Sequence, residues 1–242
     1  MIRIEHTTLK IHRQTLLQDV SLHVAEGDKL AVRGASGCGK SSLLKCILGA
    51  IPLAGGRITV DALELSPDTL ATIRSCIAFI GQEPILGADT VRDALWLPFR
   101  FKAHRDKPPS DQRINELLGR LKLSPDILGK ESKRISGGEK QRIAVIRALL
   151  LGKRIFIADE VTSALDPESK AAVMADLFRP EITLLSASHD PEWVAACNRT
   201  VKIQDGKLQE DIGHKRSQET QERNPLEPMR SCVADKNDGG EP

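Results

Sequence analysis

One glycine-rich segment constrains the fold of this 242-residue chain more than any other part of its sequence. It follows the apolar run at residues 30–32 and fits the pattern G-x-x-x-x-G-K-S between a predicted strand and a predicted helix. Its residues, which we call the phosphate loop, are Gly34, Ala35, Ser36, Gly37, Cys38, Gly39, Lys40, Ser41 and Ser42. Glycines let the backbone point several N–H groups at phosphates, and the dipole of the next helix adds positive potential. We therefore predict a nucleotide site with Lys40 at the β- and γ-phosphates and Ser41 as a ligand of Mg²⁺.

Apolar runs that predict strands alternate with helical periodicity along most of the chain. Short strands are expected in residues 1–33, and the run Ile77–Ile80 predicts a strand buried on both faces. Later strand patterns at residues 154–158, 182–186 and 201–203 are separated by helical patterns. This alternation predicts an α/β fold with parallel βαβ crossovers, interrupted by a helical insertion at residues 83–151.

Two carboxylates, Asp159 and Glu160, directly follow the apolar run at residues 155–158. In an open α/β sheet, ligands bind at the carboxyl ends of the strands. Asp159 can hold Mg²⁺ directly or through water, and Glu160 is placed to orient or deprotonate an attacking water. Acidic residues often end strands, so this interpretation depends on the phosphate loop in the same chain.

A third motif, Ser136-Gly137-Gly138-Glu139, lies immediately before the periodic run at residues 143–151. The N–H groups of a helix N-terminus, together with a serine hydroxyl, form a second surface suited to phosphate. The same four residues are also what a simple helix cap requires. The motif by itself leaves both interpretations open.

In this order, the motifs over residues 1–210 resemble the ATP-binding subunit of an ATP-binding cassette (ABC) transporter. Residues 136–139 resemble the family's signature, with Glu139 where Gln is commoner. By the same resemblance, Gln82 matches the Gln loop, whose side chain reaches Mg²⁺ and the attacking water. Residues 163–166, here the crossing loop, match the loop that crosses between protomers, and His189 matches the switch histidine near the γ-phosphate.

The resemblance implies a fold and a domain division. The fold is a P-loop NTPase of the α/β class, with a RecA-like core, an N-terminal antiparallel β subdomain and an inserted α-helical signature subdomain. The nucleotide-binding domain is expected to span residues 1–212. Residues 213–242 are charged, rich in Gln, Asn, Pro and Gly and poor in apolar residues, which predicts a disordered C-terminal tail.

The resemblance also implies a shared site and a partner. Two subunits sandwich two ATP molecules, so that Ser136, Gly137 and Gly138 of one chain serve the phosphate loop of the other. Hydrolysis then drives a separate transmembrane permease, which we expect to dock at residues 83–100. This expectation places the chain at the cytoplasmic face of the inner membrane.

Composition narrows the list of partners. No stretch of the sequence approaches the roughly 20 apolar residues needed to cross a bilayer, so no direct membrane span is expected. A net charge of +2, with scattered basic residues and few aromatics, gives no indication of nucleic-acid binding. The five cysteines lack the spacing of a zinc site, which predicts isolated thiols.

One departure from the family concerns adenine. Members usually stack the base on an aromatic residue about 25 residues ahead of the phosphate loop. Here that region, residues 8–12, contains no Phe, Trp or Tyr, and the whole chain contains no Tyr. Our hypothesis is that Leu9 or His12 takes its place.

The sequences of several loops suggest what the transporter carries. The segments that look like the ATP-binding subunit of bacterial iron-export-type systems are residues 36–41, 86–94, 97–99, 136–147 and 159–166. An importer or lipoprotein-releasing ATPase would share every catalytic residue. A non-transport ABC protein in DNA repair or translation usually has a second cassette, a coiled coil or a basic arm, and a non-hydrolytic binding module conflicts with the intact Lys40, Asp159, Glu160 and His189.

Overall fold

Two β-sheets flanked by helices organise the chain. The computed structural model describes residues 1–12 and 14–210. Within those residues the strands are β1 Ile2–Ile11, β2 Gln14–Val24, β3 Lys29–Arg33, β4 Gly55–Val60, β5 Leu63–Glu64, β6 Ile77–Ile80, β7 Ile155–Asp159, β8 Thr183–Ala187, β9 Arg199–Gln204 and β10 Lys207–Glu210. The α-helices are α1 Lys40–Ile47, α2 Leu70–Cys76, α3 Val91–Trp96, α4 Asp111–Arg120, α5 Gly137–Leu150, α6 Pro167–Leu177 and α7 Pro191–Ala196.

The larger sheet has the strand order β10-β9-β3-β8-β7-β6 and is parallel except for β10. Strands β7 and β8 are buried along their full length, as expected where helices cover both faces. The predicted α/β fold with parallel crossovers is confirmed. The carboxyl edge of this larger sheet, where β3 and β7 end, carries the phosphate loop and the two carboxylates.

The smaller sheet, of order β2-β1-β4-β5, is antiparallel and lies at the N-terminus, as expected. Its first two strands have 10 and 11 residues and are longer than the short strands predicted. Register shifts interrupt their pairing, and His6 and Asp19 have φ angles of 47° and 51°. Such bulges break the alternation of apolar and polar residues, and the sequence pattern of each long strand therefore predicts several shorter strands.

The predicted insertion between β6 and β7 is helical and contains α3, α4 and α5. These helices pack on one another around fully buried Leu117, Leu118 and Val145. Two short 3₁₀ helices, Leu97–Arg100 and Pro125–Gly129, complete the insertion. The predicted domain end at residue 212 and the predicted tail at residues 213–242 lie outside the described residues.

Three local features differ from the sequence prediction. The helix expected to reach about residue 50 ends at Ile47, because Gly49 turns with a φ of 61°. Strand β6 is the last strand of its sheet, and 40% of Phe79 is exposed, so the expectation of burial on both faces is wrong. Helix α2 was not predicted because Ile73 is its one buried residue, which leaves no apolar periodicity.

Among the helices of the described part, none combines the length and apolar character needed to cross a membrane. The same part of the chain holds no group of three or more His, Cys, Asp or Glu side chains arranged to bind a metal ion.

Candidate active site

The phosphate loop joins the end of β3 to the start of α1, as its sequence predicts. Two of its glycines are required by the backbone. Gly39 precedes α1 with a left-handed φ of 106°. At Gly34, a Cβ atom would lie 2.6 Å from Cys38 Sγ and 2.8 Å from the carbonyl oxygen of Ile203, so a larger residue does not fit. The loop is therefore held in a tight turn at the N-terminus of a helix, the geometry that binds phosphate.

Lys40 points back into the loop. Its ammonium donates to the carbonyl oxygens of Gly34 and Ala35, at 3.0 and 3.2 Å. The residue is 8% exposed. This contact holds a positive charge inside a turn at the positive end of a helix dipole, where an anion is favoured.

Ser41 and Asp159 meet across the site. The Ser41 hydroxyl donates to Asp159 Oδ1 at 3.0 Å, although the two residues are distant in sequence. Burial raises the pKa of the Asp159 carboxyl above its usual range, the hydrogen bond from Ser41 partly opposes this effect, and the charge of Glu160 adds to it. One hydroxyl and one carboxylate at this spacing are oxygen donors of the kind that Mg²⁺ prefers.

Glu160 lies at the centre of the remaining polar groups. Its Oε2 accepts from Gln82 Nε2 at 3.4 Å, and its Oε1 lies 3.5 Å from His189 Nδ1. Its N–H donates to the carbonyl of Ala187 at the end of β8 and its φ is 46°, so the backbone turns sharply after β7. Two side chains predicted from separate segments, Gln82 and His189, therefore come together at the Glu160 carboxylate.

We expect the Asp159→Asn variant to be more stable than the wild-type protein at pH 7.5 without Mg²⁺ and nucleotide. Because the folded chain raises this pKa, the contribution of Asp159 to stability is present at pH values below the pKa of the unfolded chain. It is lost as the pH rises through the folded pKa. Asn is neutral and keeps an oxygen for Ser41, so thermal unfolding should show a melting temperature about 2–4 °C higher.

Two comparisons check this stability prediction. The gain should narrow as the pH falls toward 4, because the wild-type carboxyl then becomes neutral as well. Asp126→Asn, the same change on an exposed 3₁₀ helix, should leave the melting temperature unchanged. A loss of stability in Asp159→Asn at pH 7.5 would contradict the assignment of a costly buried charge.

The signature residues form the N-terminus of α5. Ser136 Oγ accepts from the N–H of Glu139 at 3.2 Å, and Glu139 Oε2 accepts from the N–H of Ser136 at 2.7 Å. The pKa of the Glu139 carboxyl is lowered, and the largest cause is the hydrogen bond that it accepts from the backbone N–H of Ser136. The capping interpretation is thus confirmed. Ser136 and Gly137 are nonetheless exposed, so the helix end remains accessible.

The signature lies apart from the phosphate loop of its own chain. In the part of the chain that the structure describes, no hydrogen bond or ion pair joins residues 136–139 to residues 34–42. Gly138 instead faces the crossing loop, where an added Cβ would lie 3.0 Å from the carbonyl oxygen of Ala164.

Two residues of α5 that the sequence analysis missed hold residues 81–86, which we call the Gln82 segment. Gln141, 2% exposed, donates to the carbonyl of Gly81 at 3.4 Å. Arg147 donates to the carbonyls of Leu86 and Ile85 at 2.9 and 3.1 Å, and burial lowers the pKa of its guanidinium. The available sequence signal was an arginine within the apolar run at residues 143–151.

The hypothesis that Leu9 contacts adenine is wrong. Leu9 is 0% exposed and pairs with Leu17 across β1 and β2, so its side chain belongs to the core. His12 is exposed in the following turn. The half-buried Leu16, which the sequence analysis did not select, lies beside the phosphate loop: a Cβ on Gly39 would be 3.5 Å from Leu16 Cβ.

Comparison with protein families gives a match to the family described as ABC transporter, over residues 17–163. The macrolide export ATP-binding/permease protein MacB of Neisseria meningitidis serogroup B is 37% identical over 209 residues. That alignment covers 83% of this chain and 32% of MacB, so the chain spans about a third of the length of these relatives. The energy-coupling factor transporter ATP-binding protein EcfA1 of Levilactobacillus brevis is 32% identical over 219 residues, which cover 86% of this chain and 77% of EcfA1.

Solved structures agree with these relatives. The dimeric post-hydrolysis state of the ATP-binding cassette MJ0796 bound to ADP and Pi superposes with a TM-score of 0.77 and 27% identity, covering 87% of this chain and 98% of that one. A bacterial Atm1-family ABC exporter with ATP bound gives a TM-score of 0.76 at 22% identity, over 93% of this chain and 42% of that one, and shows the fold alone. The family match covers more than half of the chain, and with the site geometry it shows that the protein belongs to the ABC transporter ATP-binding family and is an ATPase.

Proposed function

We propose that this chain is the ATP-hydrolysing subunit of an ABC transporter and that it energises a separate transmembrane permease. The observation that carries the proposal is the meeting of Gln82 and His189 at Glu160, on the same sheet edge as the phosphate loop. A module that only binds nucleotide has no need for this arrangement. An importer or lipoprotein-releasing system would use the same residues, so the permease decides the direction of transport.

Each side chain then has a role in hydrolysis. Lys40 and the N–H groups of the phosphate loop bind the phosphates of ATP. Ser41, Asp159 and Gln82 supply oxygen atoms for Mg²⁺, which neutralises phosphate charge when bound. Glu160 orients the attacking water and accepts its proton, and His189 stabilises the γ-phosphate as charge develops.

The second copy of the chain completes the site. Within the described residues, no hydrogen bond or ion pair joins residues 136–139 to their own phosphate loop. The capping box uses the N–H groups of Ser136 and Glu139, so the N–H groups of Gly137 and Gly138 are the helix donors that could serve the nucleotide of a partner copy. We propose a dimer in which Ser136, Gly137 and Gly138 of each chain close over the ATP of the other. Closure excludes water and strengthens the electrostatic contacts. MJ0796 has been solved as a dimer, which supports this arrangement.

For adenine, we propose that Leu16 supplies an apolar contact and that His12 lies at the edge of the base. Leu16 is half-buried against Gly39, and His12 is exposed at the tip of the β1–β2 turn. An aliphatic contact without an aromatic stack is weak. The phosphate loop then contributes most of the affinity for nucleotide.

The permease is proposed to dock in a groove beside the Gln82 segment. The groove has a volume of 490 Å³, and its lining combines apolar and charged residues: Pro84, Ile85, Leu86, Ala88, Asp89, Lys133 and Lys140. Ile85 is 83% exposed, an unusual position for a large apolar side chain. An apolar lining in which two lysines outnumber one aspartate suits a permease helix that carries both apolar and acidic side chains.

We expect Ile85→Asp to abolish co-purification of the chain with its permease while the isolated chain hydrolyses ATP at the wild-type rate. The change replaces an apolar anchor by a charge, and removal of such an anchor typically costs about 2 kcal/mol or more of binding. Phe101→Asp provides the matched control, because Phe101 is 62% exposed but does not line this groove. Retention of the permease by Ile85→Asp, or its loss in the control, would place docking elsewhere.

For the cargo, we propose iron export, on the resemblance of residues 86–94, 97–99 and 136–147 to iron-export-type subunits. The named relatives act in macrolide export and with an energy-coupling factor, so they favour transport without favouring iron. Cells that express the chain with its permease should hold less iron under iron load than cells with Lys40→Met. Unchanged iron accompanied by raised macrolide tolerance would replace iron with macrolide as the cargo.

A further inference from the structure

The ion pair between Lys170 and Asp190 lies next to the switch histidine, His189. Lys170 is on α6, and Asp190 follows His189 in the chain. The ammonium nitrogen of Lys170 lies 3.2 Å from Asp190 Oδ2 and 3.5 Å from Oδ1, and both side chains are 17% exposed. The same ammonium lies 2.5 Å from Glu192 Oε2. The pKa of Lys170 is raised, chiefly by its hydrogen bond to Glu192 and then by that to Asp190.

Asp190 is also fixed from its other side. Its Oδ1 accepts from the N–H groups of Glu192 and Trp193, at 2.9 and 3.4 Å, which caps α7. Its own N–H donates to Ser188 Oγ at 3.2 Å. Trp193 is 1% exposed and anchors α7 in the core. The residue next to His189 is thus held between two helices, by α7 through its cap and by α6 through Lys170.

Helix α6 connects this pair to the crossing loop. The loop ends at Asp166, which caps α6 by accepting from the N–H of Ser169 at 2.9 Å. Lys170 follows within the first turn and a half of the helix. A cavity of 290 Å³ is lined by residues from all three segments: Glu160, Thr162, Ser163, Lys170, Ser188 and His189. The crossing loop, α6 and the switch histidine therefore form one connected surface around the cavity.

We infer that Lys170 is a positioning residue for His189. By bonding Asp190, it fixes the loop at residues 188–190 relative to α6, so that a shift of the crossing loop on dimer closure reaches the switch histidine. The inference rests on the proposed role of His189 in hydrolysis. It predicts a defect in turnover rather than in nucleotide binding, because the ammonium contacts carboxylates and lies on a different element from the phosphate loop.

A double-mutant cycle in ATP hydrolysis tests this inference. We expect Lys170→Met to lower kcat about tenfold, as a displaced active-site group does, with KM for MgATP changed less than about twofold. In a His189→Ala background, the same substitution should change kcat by less than about twofold, because the group it positions is already absent. Lys170→Arg, which keeps a cation in reach of Asp190, should restore most of the activity.

A matched control separates this effect from a general weakening of α6. Lys122 pairs with Glu168 of the same helix at 3.0 Å, on the exposed surface, so Lys122→Met should keep the wild-type kcat. A wild-type rate in Lys170→Met, or an equal loss in both backgrounds, would overturn the inference while the proposed function stands. If Lys170→Met does not fold, Lys170→Gln takes its place in the cycle. An undiminished rate in His189→Ala alone would overturn the proposed role of His189 and the inference with it.

Discussion

The Glu160→Gln variant is expected to bind ATP, to lose its hydrolysis by about 10²–10⁴-fold and to accumulate as a nucleotide-bound dimer. Gln has nearly the same size as Glu, so the contacts with Gln82 and the sharp turn after β7 can persist. The change removes the negative charge of the side chain and with it the ability to accept a proton from the attacking water. Single-turnover hydrolysis and size-exclusion chromatography with ATP measure the two effects.

The control for this experiment is an identical chemical change outside the site. Glu116→Gln alters an exposed carboxylate of α4 that pairs with Arg113, and it should hydrolyse ATP at the wild-type rate. Steady-state hydrolysis at the wild-type rate in Glu160→Gln would show that another group activates the water. The same variant provides the trapped state in which dimer formation can be measured without turnover.

The parts of the site that sequence predicts are those built from local patterns. The phosphate loop combines a strand, a tight turn and a helix start in consecutive residues, so the Gly34 and Gly39 geometry follows from residue type. The carboxylates Asp159 and Glu160 end an apolar run, and in a parallel sheet such ends share one edge. Their predicted positions therefore agree with the structure.

Leu9 shows where local reasoning fails. On β1 the buried residues are Ile2 and Ile4 before His6, but Thr7 and Leu9 after it. The bulge at His6, with its φ of 47°, reverses which face of the strand meets the core. Without that bulge Leu9 would point outward. Nothing in the residues around it predicts an extra residue in the ladder, so Leu9 was wrongly included, beside His12, as a candidate for the adenine contact.

The contacts that organise the site over long distances are equally invisible in the sequence. Gln141 and Arg147 bond backbone carbonyls of the segment that carries Gln82, and Lys170 bonds the residue after His189. For Gln141 and Arg147 the acceptor is a backbone carbonyl, which has no residue type, so the sequence holds no partner to search for. For Lys170 the acceptor is a carboxylate, but nothing in the sequence distinguishes Asp190 from the other acidic residues as its partner. These side chains become recognisable only when burial and geometry are known.

The Gly138→Asp variant is expected to bind ATP as a monomer with near wild-type affinity and to lose hydrolysis by at least about 100-fold, as when a transition-state donor is removed. An Asp near a helix N-terminus is favoured by the helix dipole, so α5 should still form. Its Cβ would meet the carbonyl of Ala164 at 3.0 Å and displace the crossing loop. Its charge would also repel the γ-phosphate of the partner's ATP.

Two measurements decide whether the site is split between chains. Titration with a fluorescent ATP analogue should give a monomer affinity within about twofold of the wild type, because in the proposed dimer Gly138 serves the other chain's nucleotide. Combined with Glu160→Gln, Gly138→Asp should prevent the ATP-driven dimer in size-exclusion chromatography. Gly119→Asp, on the exposed face of α4 with open space around it, is the matched control and should leave both properties unchanged. If Gly138→Asp weakened ATP binding by the monomer as much as it slowed turnover, the signature would have to act within its own chain, and the shared site would be wrong.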